Sequence, residues 1–297
     1  MRIGSYSVDL IETCRFALDG GAMFGVVPKN LWARAYPHVD EQNRIAMAAR
    51  ALLIRGEGRT VVVDAGCGHK MGEKLESIYA LDHSRFTLRD GLAAHGVAPE
   101  DVTDFIYTHL HFDHAGGSTI GAADGTVVPL FPHARHYVQT EQLAWARNPT
   151  DKDRASFMPE NWEPVAERGL LEEVEGIVEI LPGIELRPVY GHTKAMQLVV
   201  VHGESDALDD GTRSSGLVYM ADLAPTAAHI PYPYIMGYDN YPLTTLEEKK
   251  AFIPEAYERT WLLCFEHDAF TDAILLGQGA KGFEAAATVT LTGRGGE

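Results

Sequence analysis

The sequence predicts an α/β protein in which sheets are covered by helices. Three observations carry this: apolar runs of strand length recur along the chain, helical stretches are interspersed among them, and a 297-residue chain with 45% hydrophobic content can bury a large core. No Pro/Gly/Ser-rich linker divides it, so one domain spanning 1–297 is expected.

Taken in order, Met1 to Leu10 alternates polar and apolar residues and reads as a strand, not as the basic start and apolar run of a leader. Ala51 to Arg55 and Thr60 to Asp64, joined by Gly56-Glu57-Gly58, read as a β-hairpin. Helices are expected over Met71 to Ala80 and Thr87 to His95, the second stopped by Gly96 with Pro99 beyond. Asp104 to Thr108 is a short apolar strand. Further strands are expected at Arg135 to Gln139, Gly176 to Leu181, Ile184 to Val189, Met196 to His202, Leu217 to Ala221 and Trp261 to Glu266. Helices are expected at Thr140 to Arg147 and Thr244 to Thr260, the latter opening with the capping-box pattern Thr-Thr-Leu-Glu. Asn148 to Arg168 is polar and irregular and reads as a surface excursion.

The charge balance narrows the partners. With 25 basic against 42 acidic residues, a formal −17, the chain repels phosphate backbones, so no nucleic acid is expected and a small-molecule substrate is. The longest apolar stretches fall well short of the ~20 residues of a membrane helix, so no membrane association is expected. Cys14, Cys67 and Cys264 lack CxxC spacing, which supports neither a disulfide framework nor a thiolate metal site and fits a reducing, cytoplasmic setting.

Chemistry concentrates in Thr108-His109-Leu110-His111-Phe112-Asp113-His114-Ala115-Gly116-Gly117. In an extended chain, His109, His111 and Asp113 face one way while Leu110 and Phe112 face the core. His114 joins them if the chain turns, and the two glycines permit that turn. A solvated loop would not follow an apolar strand and interleave its ionisable residues with Leu and Phe. Imidazole and carboxylate donors suit zinc and similar first-row metals.

Strand, HxHxDH and paired glycines resemble the signature of the metallo-β-lactamase superfamily, and Val61 to Gly66 resembles that family's early strand ending in Asp and Gly. Three later positions also match: Gly191-His192-Thr193 after a strand, Ala221-Asp222 ending Leu217 to Met220, and Glu266-His267-Asp268 ending Trp261 to Phe265. Alone, His192 suits a turn, Asp222 a helix cap and His267 a core histidine; their order, each at a strand's C-terminal end, favours ligands. The resemblance implies a four-layer αββα sandwich of two mixed sheets flanked by helices. It also implies two divalent metal ions, most simply Zn²⁺, with His109, His111 and His192 on one, Asp113, His114 and His267 on the other, and Asp222 bridging. Asp64 then orients a ligand histidine through its second N–H.

Such a pair about 3.5–4 Å apart activates a bridging hydroxide as nucleophile, with Asp113 and Asp222 in the catalytic constellation and no serine or cysteine needed. The N-acyl-homoserine lactonase and methyl parathion hydrolase branches resemble this chain best in size and spacing. The expected activity is hydrolysis of a small lactone or carboxylic ester, with phosphotriesterase side activity. The alternatives are a β-lactamase, a glyoxalase II-like thioester hydrolase, or a mononuclear-iron thiol-oxidising relative. Glyoxalase II-like enzymes carry a basic C-terminal region, whereas 279–297 holds only Lys281 and Arg294. Homoserine lactonases commonly place a tyrosine three residues after the bridging aspartate; here that position is Pro225. His229 is a candidate donor to the substrate, with a structural hydrogen bond as its other role. Phe24, Trp32, Tyr234, Met236 and Tyr238 are candidate pocket residues, since apolar walls typify small-molecule sites. The sequence leaves the oligomeric state open, with a homodimer through the apolar N-terminal segment as one candidate assembly.

Overall fold

A computed structural model describes residues 1–207, 213–280 and 282–292. Lys281 and Arg294, weighed above, lie outside the described residues. The chain forms two compact units, 6–16 with 48–176 and 292–297, and 1–5 with 17–47 and 177–291. Each carries a mixed sheet.

In the first unit the strands lie in the order Tyr6–Asp19, Arg44–Gly56, Arg59–Val63, Asp104–Ile106, Arg135–Gln139 and Leu171–Val174, the first two continuing into residues of the second unit. The expected hairpin forms, with Leu52 opposite Val63 and Gly56 opposite Arg59. From Arg59–Val63 onward the pairings are parallel, and such strands, covered on both faces, read as continuous apolar runs. Phe105, Val62, Leu53 and Val138 build the core, closed by Leu88 and Leu92 from the helix Leu88–Ala94 and by Leu143 from the helix Thr140–Arg147. Thr87 caps the former by accepting from the Asp90 amide at 3.1 Å.

The second unit orders Val178–Leu181, Ile184–Val189, Met196–Ala207, Arg213–Tyr219, Leu262–Cys264, Ala273–Gly279 and Gly282–Val289. Among the described residues of this sheet, only Arg213–Tyr219 and Leu262–Cys264 pair in parallel. Ile253, Phe252 and Ala256 of the helix Pro242–Glu258 pack on Val200, Val218 and Leu263. Among the described residues, no helix is long and apolar enough to cross a membrane.

Three expectations change. The segment 148–168 is no mere excursion: Trp162 and Val165 are fully buried, with Trp162 in the first core and a short helix at Glu163–Glu167. The last helix starts at Pro242, because proline suits a first helical position, and no side chain caps it. The two C-terminal strands at Ala273–Gly279 and Gly282–Val289 were not anticipated; small residues such as Ala285, Ala286 and Ala287 carry little strand propensity.

Candidate metal centre

Strand direction gathers the candidate ligands of each unit. In the first unit, parallel register sets Val63 beside Ile106, so Asp64 and the His cluster leave the sheet at the same edge. The Asp64 amide donates to Ile106 O at 2.9 Å, and Asp64 has φ 54, a left-handed conformation that aspartate tolerates better than most residues. Its carboxylate accepts from the Thr108 amide (2.8 Å), the Thr108 hydroxyl (2.6 Å) and His114 Nδ1 (3.0 Å). With Nδ1–H committed to Asp64, His114 keeps Nε2 as its lone-pair nitrogen.

His109 and His111 project their nitrogens toward each other, Nε2 to Nδ1 3.0 Å, with ring centroids 4.4 Å apart. The chain does not stay extended through Asp113: a helical turn begins at Phe112 and runs to Ala115. The amides of His114 and Ala115 bond back to His111 O, so Asp113 and His114 reach the cluster by that turn and not by strand alternation. His109, His111, Asp113 and His114 are all buried.

In the second unit, Tyr219 pairs with Cys264 in parallel, and Ile184–Val189, two antiparallel steps away from Arg213–Tyr219, runs the same way. His192, Asp222 and His267 each follow the end of one of these strands. His192 Nε2 lies 3.1 Å from Asp222 Oδ2 and His267 Nε2 lies 3.4 Å from Asp222 Oδ1. Two imidazoles thus converge on the two oxygens of one buried carboxylate.

Asp239, which no sequence pattern marked, accepts from His192 Nδ1 at 2.9 Å. Its other oxygen accepts from the Thr245 hydroxyl at 2.7 Å. Glu248 takes the amides of Tyr190 and Gly191, so the start of the last helix grips the loop that carries His192. Lys249, buried, donates to the carbonyls of His229 (a short contact), Pro231 (2.9 Å) and Tyr234 (2.9 Å), and burial pulls its pKa down to about 7.

Both nitrogens of His229 are engaged. Nε2 lies 2.8 Å from Met23 O, Nδ1 lies 2.7 Å from the Thr226 hydroxyl, and the ring stacks on Phe24 at 4.5 Å. Burial pushes its pKa down to about 3. Phe24 and Trp32 are buried in a stack 5.3 Å apart, whereas Met236 lines a cavity of about 690 Å³ with Val26, Ile235, Leu243 and Asp239. Tyr238 is partly exposed, and Tyr234 sets its ring edge-on to Phe24. Cys67 is buried and offers no exposed nucleophile.

Nitrogen and carboxylate donors held in buried clusters are the donor class that zinc and related first-row metals take, and acidic and basic groups so placed without a cation would be costly to bury. The residues present fit a divalent metal.

Sheet pattern and ligand motif together define a class. The profile of the Metallo-beta-lactamase superfamily matches residues 46–207, more than half of the chain, and the chain belongs to that family. Its fold is the metallo-beta-lactamase fold, mixed sheets with helices, of the α/β class. Among individual proteins, it is 30% identical over 110 residues to an N-acyl homoserine lactonase of a Bacillus species, a match covering 37% of this chain and only 36% of that relative. A probable metal-dependent hydrolase from Staphylococcus aureus superposes with a TM-score of 0.86 at 28% identity, over 98% of both chains. A dizinc quorum-quenching lactonase, solved with the product N-hexanoyl-L-homoserine, shares the fold with a TM-score of 0.76 at 15% identity, over 98% of this chain and 96% of its own.

Proposed function

We propose that this chain is a metal-dependent hydrolase of small lactones or carboxylic esters, with both units together forming one hydrolase domain. On this reading His109, His111 and His192 hold one divalent ion, Asp113, His114 and His267 hold a second, and Asp222 bridges them. The convergence of His192 and His267 on the two oxygens of Asp222 carries the reading, because a carboxylate flanked by an imidazole at each oxygen is placed to serve a metal on either side. Family membership, the lactonase relative and the metal-dependent hydrolase of similar structure support it.

When bound, such a metal pair supplies a water acidic enough to attack a carbonyl near neutral pH. The chain's own work is to orient. Asp64 fixes the tautomer of His114 through Nδ1, and Asp239 does the same for His192. His229 is left out of the chemistry, since its two nitrogens are spoken for within the protein. Pro225 has no proton to give, so a lactonase mechanism that uses a tyrosine there is not carried over. Zinc is the proposed metal, the substrate a small molecule, the setting cytoplasmic, and phosphotriesters a secondary substrate.

The test is elemental analysis of the purified protein followed by a panel of lactones, aryl esters and phosphotriesters, with His111→Ala as the inactive control. Two zinc ions per chain and turnover of a lactone or ester are expected. One iron per chain, or no turnover of any panel member by the zinc-loaded protein, would overturn the reading.

A further inference from the structure

Apart from these His/Asp clusters, the loop that follows Asp64 and the start of the helix Leu88–Ala94 border a cavity of about 740 Å³ within the first unit. Its lining has two characters. Leu88, Ile120 and Leu130 form an apolar wall, while His69, Lys70, His83 and Arg89 supply basic groups; Asp90 is the one acid in the lining. In a chain of formal charge −17 such a concentration is local, and Asp90 is turned toward the Thr87 hydroxyl at 2.7 Å.

The basic groups are incompletely served. Lys70 Nζ donates to the carbonyls of Gly116, a short contact, and Thr119 at 2.8 Å; both are neutral acceptors, and an ammonium has three N–H donors. Burial pulls its pKa down to about 8 even though Glu160 pushes the other way. His69 is likewise held below its ordinary value by burial and by the charges of His83 and Lys70, with Glu76 opposing. The rings of His69 and His83 lie 3.9 Å apart. His83 Nε2 sits 2.9 Å from Gly68 O, which fixes a proton on Nε2, and its Nδ1 is buried with no hydrogen-bond partner among the described residues. Cations that disfavour one another's protons are what an anion would relieve.

We propose that this cavity binds a small organic carboxylate, its head held by Lys70, His83 and Arg89 and its apolar body lying on Leu88, Ile120 and Leu130. The volume far exceeds a bare oxyanion, and the apolar wall matches a hydrocarbon body. A guanidinium fits a carboxylate with two parallel bonds. His83 Nδ1, when it carries a proton, is a donor to such a head while Nε2 keeps Gly68 O. Lys70 also ties the site to Gly116, two residues beyond His114.

The probe is hexanoate, titrated into the metal-loaded full chain by calorimetry and by amide NMR shifts. Saturable binding is expected, with shifts centred on 66–70, 83–90 and 117–121. Neutral hexanamide and inorganic phosphate should each bind at least about tenfold more weakly, the first lacking the charge and the second the apolar body. Arg89→Ala, which changes an exposed side chain and leaves the fold intact, should weaken hexanoate by about tenfold, and His83→Phe similarly. Binding of hexanamide or phosphate as tight as that of hexanoate overturns the proposal. So does hexanoate binding that Arg89→Ala leaves unchanged while His111→Ala abolishes it, since that places the carboxylate at the His motif.

Discussion

His192 donates from Nδ1 to Oδ1 of Asp239 across 2.9 Å, and both side chains are buried. The bond leaves His192 Nε2, on the opposite side of the ring, aimed at Asp222 at 3.1 Å. A histidine so held presents one lone pair in one direction. On the proposed ligand set, Asp239→Ala should lower metal affinity by about 10–100-fold. Asp239→Asn, which keeps an acceptor but loses the charge, should fall between that variant and the parent. Competition against a chelator, read by elemental analysis, checks this; equal metal retention in all three proteins would remove Asp239 from the account.

Why Asp239 escaped the sequence while His109 did not is a matter of locality. HxHxDH concentrates its donors within six positions, and the flanking strand and glycines give the pattern a context. Asp239 meets His192 only because the chain returns 47 positions later, and Thr245 and Glu248 fasten that return from the last helix. Strands were legible where apolar runs are continuous, as at Val61 to Val63. The turn at Phe112 was not, because alternation of Leu110, Phe112 and the histidines fits an extended chain as well as a helical entry. Polar composition likewise concealed the core contribution of 148–168.

Trp162 measures that last point. It is fully buried, and its ring stands edge-on to Phe157 with centroids 6.2 Å apart. Trp162→Ala should cost about 3–5 kcal/mol through lost burial and the cavity left behind. Urea unfolding of parent and variant gives the difference; a change below about 0.5 kcal/mol, as for an ordinary surface position, would contradict the packing described.

Buried neutral histidines set the acid limit of stability. His136 is buried with Nδ1 3.0 Å from Ala134 O, and burial pushes its pKa down to about 4 from 6.5. Above about pH 6.5 neither folded nor unfolded protein binds this proton. As pH falls from 6.5 toward 4, the unfolded chain takes it up and the folded chain does not, so stability drops, by up to about 1.4 kcal/mol per pH unit. His229, pushed down to about 3, acts in the same sense. His136→Phe should therefore lose less stability than the parent between pH 6.5 and 4. Unfolding midpoints at several pH values test the slope, and parallel curves for the two proteins would refute the assignment.

Close backbone packing behind the His motif yields the sharpest contrast between two glycines. A methyl group at Gly116 would stand 2.0 Å from the Cys67 carbonyl oxygen, and one at Gly68, which has φ +65, would stand 2.3 Å from the Gly116 oxygen. The two loops touch because Ala65 N donates to His114 O at 2.7 Å and Gly117 N to Gly66 O at 3.0 Å. Gly116→Ala must push these loops apart, and with them Asp64 and His114, whose 3.0 Å bond sets the ring's orientation. A loss of about 1–3 kcal/mol or more is expected, with weakened metal retention, because backbone on both sides cannot yield as a flexible side chain would. Gly121→Ala meets nothing within 4 Å and serves as the control, with stability unchanged to within about 0.5 kcal/mol. Wild-type stability and metal content in Gly116→Ala would mean that the contact between the two loops does not hold the motif in place.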